Sequence, residues 1–313
     1  MPAPTHVLSL IAAPGSTGVD DDAIAAARDA LATDQPSAWL SPRRACDLPL
    51  TVYSEAVHRE SLERLRAALA PRGIDANVVA TANRRKRLLV ADMDSTIVEQ
   101  ETLDELADAV GRKAEVAAIT ERAMAGELDF RAALRERIGL IAGAPETIID
   151  AVARRIRPVQ GGVTLVAVMR ANGAFTALVS GGFAEIVGRT AALLAFDAFR
   201  ANRFRIEDGR IVGVAEPILD RDAKLAALRE FAAARSLTPE DAIAVGDGAN
   251  DVPMLQAAGL GVAFRAKPTV RDQVPVQVSH ADLTALLYLQ GYSDLDIAGA
   301  AAADADTAIT ERG

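Results

Sequence analysis

Residues 88–107 read LLVADMDSTIVEQETLDELA, and the chain is best understood outward from them. The run 87–91 (RLLVA) is short and apolar, the pattern of a strand buried in a parallel sheet. Asp92-Met93-Asp94-Ser95-Thr96 follows at once. Two carboxylates two residues apart, leaving a strand into a loop, can approach one centre. The carboxyl ends of strands are where α/β sheets bind ligands. Beyond the loop, Thr102 and Glu105 have the spacing of a capping box, so a helix is predicted to start there.

Further apolar runs at 174–179 (AFTALV) and 242–245 (AIAV) read as strands, while 163–169 (VTLVAVM) reads as helix. Helical patterns separate the strands, which predicts a parallel sheet. Residues 101–157, punctuated by Gly111, Gly126 and Gly143, read as four short helices forming a lid. Residues 1–83 read as a small α+β unit: a strand at 5–13, helices at 20–32 and 57–70, and extended stretches near 48–53 and 75–80. The tail 294–313 is Ala/Asp-rich and offers little apolar surface to pack, so it is expected to be mobile. The fold class is therefore α/β. A Rossmann-like parallel core at 84–293 carries an inserted helical cap and follows a small α+β N-terminal domain at 1–83.

The 313 residues carry a net charge of −9, which argues against a nucleic-acid partner, since such partners need basic surface. The one basic run, Arg84-Arg85-Lys86-Arg87, reads as a solvated linker. Cys46 is the only cysteine and there are three histidines, so neither a disulfide nor a thiolate zinc cluster can form within the chain. Acid–base work then falls to carboxylates. The uncharged first 19 residues are broken by Pro2, Pro4 and Pro14 and lack a basic start. No signal peptide and no membrane span is expected, and the chain reads as cytoplasmic.

Three more signals stand at equivalent places. Ser180-Gly181-Gly182 follows the strand 174–179, Gly246-Asp247-Gly248-Ala249-Asn250-Asp251 follows the strand 242–245, and Lys224 lies early in a helix after the loop 215–221. Glycines let backbone N–H groups crowd an anion, and helix N-termini favour negative charge. Acidic oxygens, one hydroxyl and one cation make a toolkit for phosphate and magnesium. The plainer readings are local: a turn at Asp92 and Asp94, turn chemistry at Ser180–Gly182, helix capping by Asp247 and Asp251, and a surface lysine at 224. In the lid helix 129–142, Arg137 falls on the apolar stripe of Phe130, Ala133, Leu134, Ile138 and Ile141. A guanidinium there needs an anionic partner, either another lid residue or a substrate.

This order of motifs resembles the haloacid-dehalogenase-like hydrolases over residues 86–290. Within them LLVADMDSTIVEQETLDELA, MAGELDFRAALRERI, VSGGF and GDGANDVPML are similar to the phosphoserine phosphatases. The N-terminal unit resembles ACT-like amino-acid-binding modules. The resemblance implies Mg²⁺-dependent hydrolysis of O-phosphoserine, the last step of serine biosynthesis, through an aspartyl-phosphate on Asp92. It implies Asp94 as general acid and base, and Mg²⁺ on Asp92, the Asp94 carbonyl and Asp247, with Asp251 supporting through a water. It implies Ser180, the Gly181 amide and Lys224 on the phosphoryl group. Glu101 would then meet the substrate ammonium, Arg137 its carboxylate, and Asn250 a further polar contact, with Met124 and Phe130 lining the pocket. A homodimer is compatible with it. The alternatives are a phosphatase or phosphotransferase for another phosphorylated amino acid, and a non-catalytic amino-acid sensor.

Overall fold

The computed structural model describes residues 3–51, 53–124, 127–220 and 222–300. The chain opens with β1 (His6–Ala12), α1 (Asp21–Leu31), β2 (Ala38–Ser41), β3 (Ala45–Leu50), α2 (Glu55–Leu69) and β4 (Ile74–Ala80). These strands form an antiparallel sheet in the order β2-β3-β1-β4, the βαββαβ arrangement of ferredoxin-like units. α1 starts where the Asp20 side chain accepts the Ala23 N–H. Asp21 and Asp22 in its first turn suit the positive end of the helix. Successive side chains of a strand point to opposite faces. Leu8 and Leu10 of β1 accordingly pack under the helices, while Val7 and Ile11 join the main core with Leu287 and Tyr288.

β5 (Leu88–Ala91) follows, with all four residues buried, and then the inserted helices α3 (Thr102–Ala109), α4 (Lys113–Met124), α5 (Phe130–Ile141) and α6 (Thr147–Ala153). The chain continues through α7 (Gly162–Ala171), β6 (Phe175–Phe183), α8 (Ala184–Leu193), β7 (Ala198–Asn202), the hairpin β8 (Phe204–Glu207) and β9 (Arg210–Val214), and α9 (Asp222–Ala233). β10 (Ala242–Gly246), α10 (Val252–Ala257), β11 (Leu260–Phe264), α11 (Pro268–Arg271), β12 (Val276–Val278) and α12 (Ala285–Leu289) complete it. Six parallel strands lie in the order β12-β11-β10-β5-β6-β7. From β5 the chain builds the sheet first towards β6 and β7, then returns to β10 on the other side. That reversal opens a crevice at the carboxyl end of β5, where such sheets take ligands.

The structure corrects several expectations. The Thr102–Glu105 capping box does not form: Glu101 is the N-cap without a side-chain cap bond, and the Thr102 hydroxyl turns to Asp94 instead. Ser180-Gly181-Gly182 lies inside β6, at a break in its register with β7, rather than after the strand. The lid is not helical alone. The β8–β9 hairpin joins it through Gly143 N–H to the Ile211 carbonyl (2.8 Å) and Ile211 N–H to the Ala144 carbonyl (3.0 Å). Phe204 of that hairpin stacks on Phe183, anchoring it to β6.

The basic run is no solvated linker. Arg84 forks onto Asp47 (2.6 and 3.1 Å) and also meets the Leu289 carbonyl, and the buried Lys86 donates to the Glu240 carbonyl (2.7 Å). Arg85 pairs with Asp296 and Arg87 with Asp241. Arg84 alone of the four joins the antiparallel sheet to the parallel core; Lys86 is buried beside β10, while Arg85 and Arg87 stay exposed in their pairs. Residues 294–300 are helical, with Asp294 accepting the Tyr288 hydroxyl (2.8 Å), so the expected loose tail does not start at 294. Its remainder, 301–313, lies outside the described residues, as do Gly126 and the side chain of Met124.

Candidate active site

β5 delivers Asp92 and Asp94 to the crevice, and β10 delivers Asp247 opposite them. Lys224, early in α9, is buried with its Nζ 2.5 Å from Asp92 and 2.6 Å from Asp251. Asp251, fully buried, also accepts the Gly248 N–H through its other oxygen (3.0 Å). Asp247 accepts the Thr96 hydroxyl (3.2 Å). Carboxylate oxygens of Asp92, Asp247 and Asp251 all lie within 4.8 Å of one another. One ammonium against three carboxylates leaves a net negative charge that a divalent cation would balance. All the donors are hard oxygens, which suit such an ion. Asp251 bonds Lys224 directly.

Two glycines are dictated by close approach. A Cβ on Gly246 would lie 2.4 Å from the Asp251 carboxyl carbon, and one on Gly181 would press on the Phe130 ring at 3.2 Å. The Gly182 N–H donates to Ser180 Oγ (2.9 Å), which leaves the Ser180 hydroxyl proton free to donate elsewhere. Lid and core meet over a small cleft lined by Phe130, Ser180, Gly181, Lys224 and Asn250. Leu219 and Asp220 also line it, and nothing in their sequence pattern marks them.

Asp94 stands apart from the other acids. Both its oxygens are engaged by Thr102, one by the backbone N–H (3.3 Å) and one by the hydroxyl (3.1 Å). Burial pushes its pKa up to about 7, the Glu101 charge adds, and the Thr102 bonds oppose. Burial, then Asp251 and Glu101, raise Asp247 to about 6. The Asp92 carboxyl is raised by burial and by Asp251, against the pull of Lys224. Burial alone would lower the Lys224 pKa, but Asp251 and Asp92 outweigh it and hold the ammonium above its ordinary range.

The lid residues fall where the helical stripe predicts. Ala133, Leu134, Ile138 and Ile141 are buried and Arg137 is half-buried among them. Its Nε donates to the Ala133 carbonyl (3.3 Å), and among the described residues it forms no ion pair. Burial lowers its pKa, against the charges of Asp104, Glu101 and Asp94. Glu101 is exposed at the mouth and accepts the Ser95 hydroxyl (2.7 Å). The structure brings Asp92, Asp247, Asp251 and Lys224 into direct contact or close approach, and lines the neighbouring cleft with Ser180, Gly181, Lys224 and Asn250. The sequence reading missed the use of Thr102 as a clamp on Asp94.

The sequence profile of the haloacid dehalogenase-like hydrolases matches residues 89–256. The chain belongs to that family. This hydrolase is 44% identical over 222 residues to a phosphoserine phosphatase of Mycobacterium tuberculosis, covering 71% of the chain and 54% of the relative. It therefore spans little more than half the length of that protein. A solved haloacid dehalogenase family hydrolase of Salmonella enterica subsp. enterica serovar Typhi superposes with a TM-score of 0.80 at 30% identity. That match covers 91% of this chain and 98% of the other, the antiparallel sheet included. A phosphoserine phosphatase solved as an analogue of its phospho-aspartyl intermediate matches with a TM-score of 0.61 at 36% identity, covering 65% and 98%. No helix among the described residues of the hydrolase is long and apolar enough to cross a membrane.

Proposed function

We propose that this hydrolase is a phosphoserine phosphatase of the cytoplasm, hydrolysing O-phospho-L-serine to L-serine and phosphate in the last step of serine biosynthesis. The observation that supports the substrate assignment is Arg137, a half-buried guanidinium on the lid helix with no ion pair among the described residues, on which the charges of Asp104, Glu101 and Asp94 act. A substrate carboxylate would neutralise it, and Glu101 at the mouth would meet the ammonium of the same molecule. The relatives named above support the reading.

Asp92 attacks the phosphorus and forms an aspartyl-phosphate as the serine oxygen leaves. Asp94, poised near neutrality, donates its proton to that oxygen and then takes one from the water that attacks the phosphoenzyme. Ser180 donates its hydroxyl proton to the phosphoryl oxygens. Lys224 spends two donors on Asp92 and Asp251 and offers the third to them. Asn250 adds a polar contact in the cleft. Asp92, Asp247 and the Asp94 backbone carbonyl would hold Mg²⁺, with Asp251 beside them, and the ion would supply the charge that lets a carboxylate approach a phosphate dianion. Phe130 closes the cleft against Gly181 and excludes water until the leaving group has gone. Phosphate release across phosphorylated amino acids and sugar phosphates tests the reading. O-phosphoserine should have the highest kcat/KM, and a sugar phosphate or another phosphorylated amino acid turned over faster would reject it.

A further inference from the structure

Asn202, the last residue of β7, has no role assigned above, yet it is buried and its side-chain amide bonds to Gly181 of β6 and to Leu219. Its Nδ2 donates to the Gly181 carbonyl (2.8 Å) and, more weakly, to the Leu219 carbonyl (3.4 Å). Its Oδ1 accepts the Leu219 N–H (2.7 Å). A peptide unit is planar, so fixing the Gly181 carbonyl also fixes the N–H of Gly182 on its opposite side. That N–H is the group that donates to Ser180 Oγ (2.9 Å). The chain of bonds therefore runs from the Asn202 amide, through one peptide plane, to the Ser180 hydroxyl. With its oxygen occupied as an acceptor, Ser180 is left to act as a donor. Bonds in such a chain polarise one another.

The other end of Asn202 reaches Leu219, in the loop 215–220. That loop leads into α9 and Lys224, and its Asp220 and Glu216 pair with Arg131 and Arg135 of the lid helix α5 at 2.7 and 2.6 Å. One side chain thus sets the distance between the Ser180–Gly182 turn and the segment carrying Lys224.

We propose that Asn202 is a positioning residue that aims the Ser180 hydroxyl and holds the two halves of the phosphate cradle together. The inference rests on the reading of Ser180 and Lys224 as phosphate ligands, and it commits to the phosphoryl group as what is positioned, whatever alcohol it is esterified to. Two consequences separate this role from mere structural support. The loss should be shared by every phosphate ester and by inorganic phosphate, unlike a loss at Arg137. It should also run through Ser180.

The test is a double-mutant cycle of Asn202→Asp and Ser180→Ala, read as the inhibition constant of inorganic phosphate against an aryl phosphate in the presence of Mg²⁺. Asn202→Asp keeps the acceptor for Leu219 and removes the donor to Gly181. It should weaken phosphate by roughly 5- to 150-fold, the range for stripping a partner from a buried acceptor. The same change in the Ser180→Ala background should be several-fold smaller, because the two residues act in series. Multiplicative losses, or phosphate affinity unchanged in Asn202→Asp, would overturn the proposal. Should Asn202→Asp not fold, Asn202→Ser takes its place in the same cycle with the same two outcomes. Wild-type hydrolysis of phosphoserine is measured alongside. Its absence with phosphate binding and the cycle intact would sink the substrate reading and leave Asn202 as assigned.

Discussion

Asp92 and Asp94 stand two residues apart in one loop and face different partners. Asp92 meets Lys224 and two further acids, while Asp94 accepts hydrogen bonds from Thr102 and lies under the charge of Glu101, with its pKa near 7. In the proposed chemistry Asp94 must carry a proton when the serine oxygen leaves. Phosphoenzyme formation from phosphoserine is therefore expected to fall as pH rises through about 7. An aryl leaving group needs no proton, so Asp94→Asn should nearly abolish phosphorylation by phosphoserine yet let an aryl phosphate charge Asp92, and the phosphoenzyme should then accumulate. Stopped-flow bursts with the two substrates measure this, and equal losses on both would remove Asp94 from the acid role. The acids also bear on stability. Asp94 at about 7 and Asp247 at about 6 lie above their usual value of 3.8. Groups raised in this way favour the fold fully below the unfolded value, and that contribution is lost progressively as pH rises from about 4 through 6–7. The cation-free protein should lose Tm over that window, and Mg²⁺ should restore it. Differential scanning calorimetry of wild type and Asp247→Asn reads both effects. The variant should melt higher without the cation and gain less from it.

The residues that carry charge were legible because their spacing follows β5, β6 and β10, and the resemblance named their roles. Thr102 and Asn202 were not, because their importance lies in which group they meet across the fold. Thr102 even carries a local pattern, the capping box, that tertiary structure overrides. At the level of elements, the lid helices were read from glycines and the apolar stripe of α5. The β8–β9 hairpin was missed although Asp208-Gly209 between its strands is a strong turn signal, both residues having positive φ. β2, β11 and β12 were missed because runs of three to five residues carry too little periodicity to read. The lid makes its own prediction through α5. A hydrogen bond to a charged group is worth roughly 1.5–3 kcal/mol, so Arg137→Ala should cut kcat/KM for phosphoserine by about 10- to 150-fold. An aryl phosphate without a carboxylate should change little. Steady-state kinetics on the two substrates decide it, since a damaged lid would harm both alike.

Across the whole molecule, the antiparallel sheet is bound to the parallel core more closely than a linker reading of 84–87 allows. Asp75 of β4 accepts the N–H groups of Ser279, His280 and Ala281, and Asn77 exchanges two bonds with Gln277 of β12. Arg44 reaches Asp282 and Thr284. The apolar core itself runs from Val7 and Ile11 into Leu287 and Tyr288. Removing one partner of a buried ion pair costs about 3–5 kcal/mol. Arg84→Met should therefore lower Tm by about 6–20 °C. Activity below the new Tm should be intact, because Arg84 touches no site residue. A calorimetric Tm within a few degrees of wild type would show that the pair with Asp47 contributes little.

The central claim is that phosphoserine is hydrolysed through Asp92, and mass spectrometry of the enzyme quenched in acid during turnover tests it most directly. With O-phosphoserine and Mg²⁺, the peptide spanning residues 88–107 should carry one phosphoryl group on Asp92, and Asp92→Asn should show neither the adduct nor phosphate release. Phosphate release that persists in Asp92→Asn with deamidation excluded, or a wild-type enzyme that turns over phosphoserine while the phosphoryl group appears on another residue, would contradict the account.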